Sequence, residues 1–369
     1  MNARTDLDLM EMAYGLAEKA RGRTSPNPCV GAVITKAGAI VGWGFHLEAG
    51  LPHAEIIALE RAGRKAKGGT IYLTLEPCVH WGRTPPCVDR LLGAGLARAV
   101  ISAVDPNPLV NGRGLAALAG AGFELTTGLL EERNRRLNEA YLKYIARKTP
   151  FVTLKAAVSL DGRIAARSGD SRWVSSADAR DYAHLLRGEH DAILVGSGTV
   201  LADDPRLTVR HPLWKGKRTF RIVLDPGLRT PLRARILSGP GVLIFTDRTA
   251  PPRKAAALEG KGAEIVRVPG GPEALDLAAV LAELGKREIA SLLVEGGSRV
   301  HTSFIEAGLA DKIILALSPK LIGGRGAVSF FEGEGARTMA DALEITDVRS
   351  FAAGGDRMIE GYFRCSQAS

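Results

Sequence analysis

The sequence GTIYLTLEPC occupies residues 69–78 and contains the signals that decide the fold of the first half of the chain. Residues 69–75 are rich in β-branched and apolar side chains, which predicts a buried strand. Pro77 cannot continue a central strand, so Cys78 is expected in a loop at the carboxyl end of that strand. A thiol at this position is well placed to bind a metal ion.

Two further residues complete a metal-binding pattern with Cys78. His53 follows Pro52 and precedes an apolar-periodic run over residues 54–62, which predicts a helix that begins at His53. Cys87 follows two prolines and opens an amphipathic run, so its thiolate is favoured by the positive end of a helix dipole. One imidazole and two thiolates form a zinc ligand set with an open fourth position, where the metal lowers the pKa of a water molecule.

Glu55 is the expected general acid/base of this site, because it lies two residues after His53 and can move a proton from water to departing ammonia. Three zinc ligands and a carboxylate that is not a ligand are what a hydrolytic deaminase requires. Nucleobase deaminases commonly separate their two cysteines by two residues, whereas residues 79–86 separate Cys78 from Cys87. Iron or cobalt could use the same ligands, so zinc is inferred from ligand type.

The composition predicts a protein of two domains. The chain has 369 residues, of which 46% are hydrophobic, and this is enough for two cores. It contains no apolar run of membrane-spanning length, and acidic residues interrupt its first twenty positions, so we expect a cytoplasmic protein. Four cysteines in so long a chain do not make a disulfide framework, and Cys29 is expected to be a small buried residue.

The net charge of +9 raises the question of nucleic-acid binding. The positive charge forms no basic tail, and few aromatic residues lie among the basic ones. A small anionic substrate such as a phosphate ester therefore accounts for the charge as well as a polynucleotide does.

Helix and strand signals alternate along the whole chain, which predicts α/β architecture in both halves. Pro150 precedes a new series of strands, so we place the domain boundary near Lys148. The first half is predicted to contain helices at 6–21, 53–62, 87–92, 114–121 and 131–145 and strands at 30–36, 40–45, 69–75 and 97–104. The second half is predicted to contain strands at 151–159, 192–196, 221–225, 242–246, 264–268, 291–295 and 312–317, with helices at 176–186, 275–284 and 301–307.

Two segments of the second half, AILVGSGT (192–199) and SLLVEGGS (291–298), each combine an apolar strand with a Gly/Ser turn before a helix. Such a turn allows backbone N–H groups to approach a phosphate at a helix N-terminus. Glycine also serves any tight turn, and neither segment matches G-x-G-x-x-G. The pattern alone therefore leaves both cofactor binding and a plain turn open.

Motifs in both halves resemble those of the bifunctional deaminase/reductase of riboflavin biosynthesis, and the wide spacing of the two cysteines is typical of that family. The resemblance covers nearly the whole chain. It rests on the motifs PNPCVG (26–31), HAE (53–55), LEPC (75–78), GRTPPC (82–87), DPNP (105–108), SLDGR (159–163), GDSRW (169–173), VLADDP (200–205), VEGG (294–297) and PK (319–320).

The resemblance implies an N-terminal three-layer α/β/α domain (1–148) of the cytidine-deaminase type, followed by an α/β domain (149–369) similar to dihydrofolate reductase. The first domain would deaminate 2,5-diamino-6-ribosylamino-4(3H)-pyrimidinone 5′-phosphate. The second would use NADPH to reduce the ribosyl group of the product to ribityl. The implied substrates are small phosphorylated pyrimidines, and neither nucleic acid nor a membrane is an expected partner. Dimers or tetramers built through the reductase domain are expected in this family.

The resemblance also assigns residues. Zinc would be bound by His53, Cys78 and Cys87, with Glu55 as the catalytic proton carrier. Substrate would be bound by Asn27, His80, Arg83, Lys155, Ser171, Arg187, Leu207, Arg210 and Glu295, with Arg187 and Arg210 able to clamp a phosphate. NADPH would be bound by Ala157, Trp173, Thr199, Asp203, Gly297, Ser298, Arg299, Val300, His301, Thr302 and Ser303.

Several simpler interpretations remain open. Asn27 could be a turn residue between two prolines, Arg83 a solvated loop charge, and Lys155 a strand lysine with its amine in water. A nucleic-acid-editing deaminase fused to a binding module is the main functional alternative, although the dispersed charge and the cysteine spacing disfavour it. The other functional alternative is a deaminase whose second domain does not catalyse reduction.

Overall fold

The computed structural model describes residues 5–82, 85–214 and 216–364. The chain divides into two compact units, Met1–Lys148 and Thr149–Ser369, each with its own sheet and hydrophobic core. Among the residues described, no helix combines the length and apolar character needed to cross a membrane.

The first unit contains a five-stranded sheet in the order β2-β1-β3-β4-β5. The first of these strands along the chain is antiparallel to both of its neighbours, whereas the last three run parallel. The strands are β1 (Gly31–Lys36), β2 (Ala39–Phe45), β3 (Thr70–Leu73), β4 (Arg98–Ile101) and β5 (Glu124–Thr127). The helices are α1 (Asp6–Ala17), α2 (Ala54–Ala62), α3 (Cys87–Gly93), α4 (Arg113–Gly120), α5 (Glu131–Leu137) and α6 (Glu139–Arg147).

Helices cover both faces of this sheet. On one face, α2, α3 and α4 bury Ala58, Leu91 and Leu118 against the strands. On the other face, α1 buries Met10 and Tyr14. Alternate residues of a strand point to opposite faces, and the strands are apolar on both, as a sheet between two helical layers requires. The predicted three-layer α/β/α unit is confirmed.

The prediction of one continuous helix over residues 131–145 is wrong. The segment forms two helices, α5 and α6, which are separated at Asn138. The Asn138 side chain accepts a hydrogen bond from the Cys29 backbone N–H at 2.7 Å and donates one to the Cys29 carbonyl at 3.1 Å. This long-range pair of bonds favours a helix break that local periodicity does not reveal. Cys29 itself is buried, as expected.

The second unit contains a nine-stranded sheet in the order β11-β10-β9-β8-β12-β6-β13-β16-β15 and a separate pair, β7 and β14. The strands from β11 to β13 in this order are parallel, and the last two form an antiparallel hairpin that the sequence did not predict. The strands are β6 (Phe151–Ser159), β7 (Arg163–Ala165), β8 (Ala192–Gly196), β9 (Phe220–Leu224), β10 (Val242–Asp247), β11 (Ala263–Val268), β12 (Ser291–Val294), β13 (Lys312–Ser318), β14 (Val328–Ser329), β15 (Ile345–Ala353) and β16 (Asp356–Phe363). The helices are α7 (Ala177–Glu189), α8 (Ser197–Asp203), α9 (Pro252–Glu259), α10 (Leu277–Lys286) and α11 (Ser298–Glu306).

Helices also cover both faces of the larger sheet. Helices α10 and α11 pack on one face, where Leu281 and Phe304 are buried, and α7 and α9 pack on the other through Leu186 and Leu258. Strands β8, β12 and β6 are adjacent and parallel. The residues that follow their carboxyl ends therefore meet at one edge of the sheet, which is where open α/β sheets bind ligands.

Candidate active sites

Three potential metal ligands converge in the first unit. His53 is the N-cap residue of α2, Cys87 is the first residue of α3, and Cys78 lies in the loop after β3. The His53 Nδ1 atom is 3.6 Å from the Cys78 sulfur and 3.2 Å from the Cys87 sulfur, and all three donor atoms lie within 4.8 Å of one another. Zinc forms bonds of about 2.0–2.3 Å to nitrogen and sulfur, so an ion fits between donors at these separations.

The two thiols differ in their protonation. Cys87 donates a hydrogen bond to Cys78, and this bond lowers the pKa of the Cys78 thiol and raises that of Cys87. The backbone N–H of Cys87 also donates to the Cys78 sulfur at 3.4 Å. Cys78 is therefore the thiolate of the pair, and a cation placed between the sulfurs would favour the loss of the second proton.

Glu55 lies in the first turn of α2 and is only 3% exposed. Burial raises the pKa of Glu55 to about 7, although the nearby His53 opposes this effect. Its Oε2 atom is buried and has no hydrogen-bond partner among the described residues. A buried carboxylate oxygen without a partner beside a set of metal ligands is suited to exchanging a proton with a bound water or substrate.

Glu76 fixes the loop that carries Cys78. Its Oε1 accepts hydrogen bonds from the backbone N–H groups of Gly114 and Leu115 at 2.8 and 3.1 Å. Its Oε2 accepts from those of Gly112 and Asp105 at 3.0 and 3.1 Å. A Cβ on Gly114 would lie 2.4 Å from the Pro77 carbonyl oxygen, so glycine is needed for this close approach. The carboxylate thus ties the segment around Cys78 to the start of α4.

Asn27 contacts a histidine that the sequence analysis did not assign. The His46 Nδ1 lies 3.2 Å from the Pro52 carbonyl, which can only accept, so Nδ1 carries the proton. The His46 Nε2 then accepts from the Asn27 amide at 3.1 Å. The His46 ring also packs edge-on against His53, with centroids 4.9 Å apart. Asn27 is therefore oriented beside the metal ligands through its side-chain nitrogen.

His80 lies in the loop between Cys78 and α3, and its Nδ1 is buried without a partner among the described residues. The buried Asp105 accepts the hydrogen of the Tyr141 hydroxyl, which lies 2.8 and 3.0 Å from its two carboxylate oxygens. Arg83, the other residue assigned to substrate in this loop, lies outside the described residues.

In the second unit, Arg187 and Glu295 form a bidentate ion pair at the end of β12. The Arg187 Nε donates to Glu295 Oε1 at 2.8 Å, and Nη2 donates to Oε2 at 2.6 Å. Lys155 on β6 lies close enough for its charge to act on Glu295. Burial lowers the pKa of Lys155, although Glu295 opposes this effect. The structure therefore brings three of the assigned substrate residues together in a largely dry site.

Leu207 and Arg210 belong to the segment that follows α8. Leu207 is buried and has a positive φ of 49°, and the Thr208 carbonyl accepts from Arg187 at 3.4 Å. Arg210 is exposed, and its guanidinium donates to the Thr208 hydroxyl at 3.2 Å. Ser171 lies in a turn in which its carbonyl accepts from Val174, and among the described residues its hydroxyl makes no hydrogen bond to Arg187, Arg210 or Glu295.

The glycine at the end of β8 and the two glycines after β12 form a narrow cradle at the start of α11. A Cβ on Gly296 would lie 2.6 Å from Val300, and one on Gly196 would lie 2.8 Å from the same side chain. A Cβ on Gly297 would lie 3.5 Å from the Thr199 hydroxyl. The Ser298 hydroxyl is buried and has no partner in the described part of the chain. A helix N-terminus with an unsatisfied donor fits a diphosphate such as that of NADPH.

The remaining residues assigned to NADPH occupy different environments. Trp173 is 61% exposed, and the Arg180 guanidinium lies 4.4 Å from the centre of its ring. The backbone carbonyl of Asp203 accepts a hydrogen bond from the Arg172 side chain. Ala157 lies near the carboxyl end of β6. The side chains farther along α11 bond within the protein: His301 to the Val294 carbonyl, Thr302 to Glu332, and Ser303 to the carbonyl of the exposed Arg299.

The sequence analysis missed His46 and the role of Glu76. It also missed His184 on α7, whose charged neighbours are Arg187, Arg210, Glu295 and Asp181. Glu76 was visible as part of LEPC, but nothing in the sequence indicates which backbone groups it binds. His46 follows a predicted strand, and His184 precedes Arg187 by three residues, which is one helical turn. That spacing was the available signal for His184.

Comparison with known proteins gives matches over both units. A family model described as "RibD C-terminal domain" matches residues 150–359. A second, described as "Cytidine and deoxycytidylate deaminase zinc-binding region", matches residues 3–103.

Full-length relatives and solved structures agree with these matches. The chain is 42% identical over 357 residues to the riboflavin biosynthesis protein RibD of Aquifex aeolicus, covering 96% of this chain and 97% of that protein. It is 44% identical to RibD of Escherichia coli, covering 85% and 88% of the two chains. The structure is similar to Acinetobacter baumannii RibD, with a TM-score of 0.87, 35% identity and coverage of 97% and 98%. It is also similar to a Thermotoga maritima diaminohydroxyphosphoribosylaminopyrimidine deaminase/5-amino-6-(5-phosphoribosylamino)uracil reductase, with a TM-score of 0.82, 34% identity and coverage of 97% and 98%.

Proposed function

Because the chain belongs to the RibD family of riboflavin-biosynthesis enzymes, we propose that its two units divide two consecutive reactions between them and that the residues described above carry these reactions. The chain is a bifunctional deaminase and reductase with zinc and NADPH as cofactors and small phosphorylated pyrimidines as substrates. The predicted family, fold class, activities and cofactors are thereby confirmed. The functional alternatives, nucleic-acid editing and a non-reducing second domain, are set aside.

We assign deamination of 2,5-diamino-6-ribosylamino-4(3H)-pyrimidinone 5′-phosphate to Met1–Lys148. Zinc, when bound by His53, Cys78 and Cys87, supplies a Lewis acid that lowers the pKa of water. Glu55 takes the proton from the attacking water and returns it to the departing amino group, a role that its buried and unpartnered Oε2 supports. Asn27 orients the pyrimidinone by its Oδ1, held in place by His46.

We assign reduction of 5-amino-6-(5-phosphoribosylamino)uracil to Thr149–Ser369. NADPH, when bound, supplies the hydride that converts the ribosyl group to ribityl. The glycine cradle and the start of α11 bind its diphosphate, and the exposed Trp173 offers a ring that the cofactor can contact. Glu295 and Lys155 face the sugar, where their opposite charges can orient a hydroxyl and stabilise charge that develops during reduction.

The observation that carries this proposal is the convergence of His53, Cys78 and Cys87 within 4.8 Å of one another, beside a buried Glu55. The proposal is tested with one variant for each unit. Glu55→Gln should abolish ammonia release and leave NADPH-dependent reduction of supplied intermediate intact, whereas Glu295→Gln should have the reverse effect. Loss of both activities in either variant, with the fold retained, would contradict separate sites. A cytoplasmic location and a dimeric or tetrameric state stay predictions.

A further inference from the structure

Two sequence motifs of the second unit, SLDGR (159–163) and PK (319–320), have no role in the reactions described above. Strand β6 ends at Ser159 and β13 ends at Ser318, and these two residues pair in register between parallel strands. The turns that follow the two strands therefore lie next to each other. They lie at the carboxyl edge of the sheet, which is also the edge of the proposed reductase site.

The turn after β6 fixes the segment after β13. The Leu160 backbone N–H donates to the Lys320 carbonyl at 2.8 Å. The two carboxylate oxygens of Asp161 accept from the backbone N–H groups of Ile322 at 3.0 Å and Gly323 at 2.7 Å. Hydrogen bonds to an ionised carboxylate are stronger than those between neutral groups. The backbone of Lys320 is thus held both at its own carbonyl and two residues farther along the chain.

Lys320 extends from this anchored segment to the backbone of Trp173. Its Nζ donates to the Trp173 carbonyl at 2.6 Å, across 147 residues of sequence. Within the described ranges, no other hydrogen bond to the Trp173 backbone is found. The ammonium group of Lys320 is therefore the group that fixes the Trp173 peptide from outside its own turn.

Two further contacts hold the same segment. The Arg180 guanidinium on α7 lies 4.4 Å from the centre of the Trp173 ring, and the Arg172 side chain donates to the Asp203 carbonyl at the end of α8. The Trp173 ring nevertheless stays largely exposed. An exposed ring whose segment is bound by three separate elements is suited to meet a ligand in a fixed position.

We propose that Lys320 is a positioning residue of the reductase, which holds the Trp173 carbonyl and thereby sets the Trp173 ring against bound NADPH. This inference rests on the proposed contact between Trp173 and NADPH. Asp161 supports Lys320 by fixing the segment that carries it. The effect of Lys320 passes through Trp173, and this distinguishes it from a lysine that attracts the cofactor phosphates by charge.

The first test is a double-mutant cycle on the KM for NADPH, measured with full-length enzyme and 5-amino-6-(5-phosphoribosylamino)uracil. Lys320→Met removes the donor and keeps a long side chain. It should raise the KM for NADPH about fivefold, the effect of losing one hydrogen bond. In the Trp173→Ala background the same substitution should have little effect, because the residue through which Lys320 acts is gone.

Two further variants serve as controls. Lys320→Arg keeps a charged donor and should retain most of the affinity for NADPH. Lys286→Met is the matched control, because Lys286 is also exposed and donates to Glu283 at 3.0 Å. Lys286 is the last residue of α10, the helix that precedes β12, so it lies toward the opposite edge of the sheet. Its substitution should leave the KM for NADPH unchanged.

Fluorine NMR of enzyme labelled with 5-fluorotryptophan tests the position of the ring directly. The chain has four tryptophans, and the Trp173 resonance is identified by its loss in Trp173→Phe. In cofactor-free Lys320→Met this resonance should broaden, while those of Trp43, Trp81 and Trp214 stay as in the wild type. An unchanged Trp173 resonance would show that Lys320 does not position the ring.

The cycle also separates failure of this inference from failure of the proposed cofactor contact. If Trp173→Ala leaves the KM for NADPH at the wild-type value, the contact between Trp173 and NADPH is wrong, and the inference fails with it. If Trp173→Ala raises the KM but Lys320→Met has no effect, or the effects of the two substitutions add, the contact stands and the role of Lys320 is wrong.

Discussion

Arg187 and Glu295, 108 residues apart in the sequence, meet in a bidentate ion pair whose side chains are only 15% and 9% exposed. The pair joins α7 to the carboxyl end of β12, which is the edge of the sheet where the reductase site lies. Removing one partner from a buried pair leaves the other charge without compensation. A substitution at either residue should therefore change both the stability of the second unit and its reductase activity.

Glu295→Gln should therefore destabilise the second unit by about 3–5 kcal/mol in addition to abolishing reduction. Denaturant unfolding followed by a probe in that unit measures the change. Glu264→Gln is the matched control, because Glu264 pairs with Arg287 at an exposed position and its loss should cost at most about 1 kcal/mol. Equal effects of the two substitutions would contradict a special role for the buried pair.

The stability that this pair confers should also depend on pH in a defined window. Burial acts to raise the pKa of Glu295, but the charge and hydrogen bonds of Arg187 outweigh it and lower the pKa from 4.5 to about 2. A lowered pKa in the folded state gives stability that is full above the unfolded pKa and is lost as the pH falls toward the folded one. The difference in unfolding free energy between wild type and Glu295→Gln should be constant above about pH 5.5 and shrink below about pH 4.5. A difference that grows on acidification would refute this assignment.

Replacing either assigned cysteine ligand should remove the metal. Cys78→Ser and Cys87→Ser are expected to reduce zinc from about one ion per chain to a trace, and to abolish ammonia release, because three protein ligands are the minimum for a catalytic zinc site. Elemental analysis of the purified proteins measures the metal. Cys29→Ser is the control, since Cys29 is buried against Thr24 and Asn138 and is not one of the three converging donors. Full zinc content in Cys87→Ser would exclude Cys87 as a ligand.

Glu76→Gln should weaken metal binding, although Glu76 is not one of the metal ligands. An amide can accept through only one oxygen, so at least one pair of the four backbone N–H bonds is lost, at a cost of about 2–3 kcal/mol. We expect faster zinc loss to a chelator, measured by a colorimetric competitor, while added zinc restores much of the deaminase activity. Glu60→Gln, at an exposed position on α2, should exchange zinc at the wild-type rate. Unchanged exchange in Glu76→Gln would show that the clamp does not position Cys78.

Local signals in the sequence predicted the parts of the fold that depend on neighbouring residues. The strand over residues 69–75 and the helix starts at His53 and Cys87 follow from apolar patterning and proline positions, and all three appear in the structure. Because the strand end and both helix starts carry the ligands, their convergence could be expected from the known tendency of α/β sheets to form sites at strand ends.

Long-range pairings could not be predicted in this way. The break at Asn138 depends on Cys29, the clamp of Glu76 depends on backbone groups near Gly114, and Arg187 on α7 pairs with Glu295, which follows the distant strand β12. The antiparallel hairpin of β15 and β16 was missed because β15 lies at the sheet edge, where several of its residues are exposed and weaken the apolar pattern. Periodicity reports the burial of a segment, but it does not report which distant segment it meets.

The central claim is that one chain carries out both reactions in sequence. The most direct measurement supplies the zinc-loaded full-length enzyme with 2,5-diamino-6-ribosylamino-4(3H)-pyrimidinone 5′-phosphate and NADPH, and follows ammonia release and NADPH oxidation together. We predict that both signals appear, with equal final amounts and with ammonia leading. Ammonia release without NADPH oxidation, or NADPH oxidation that precedes ammonia release, would contradict the account.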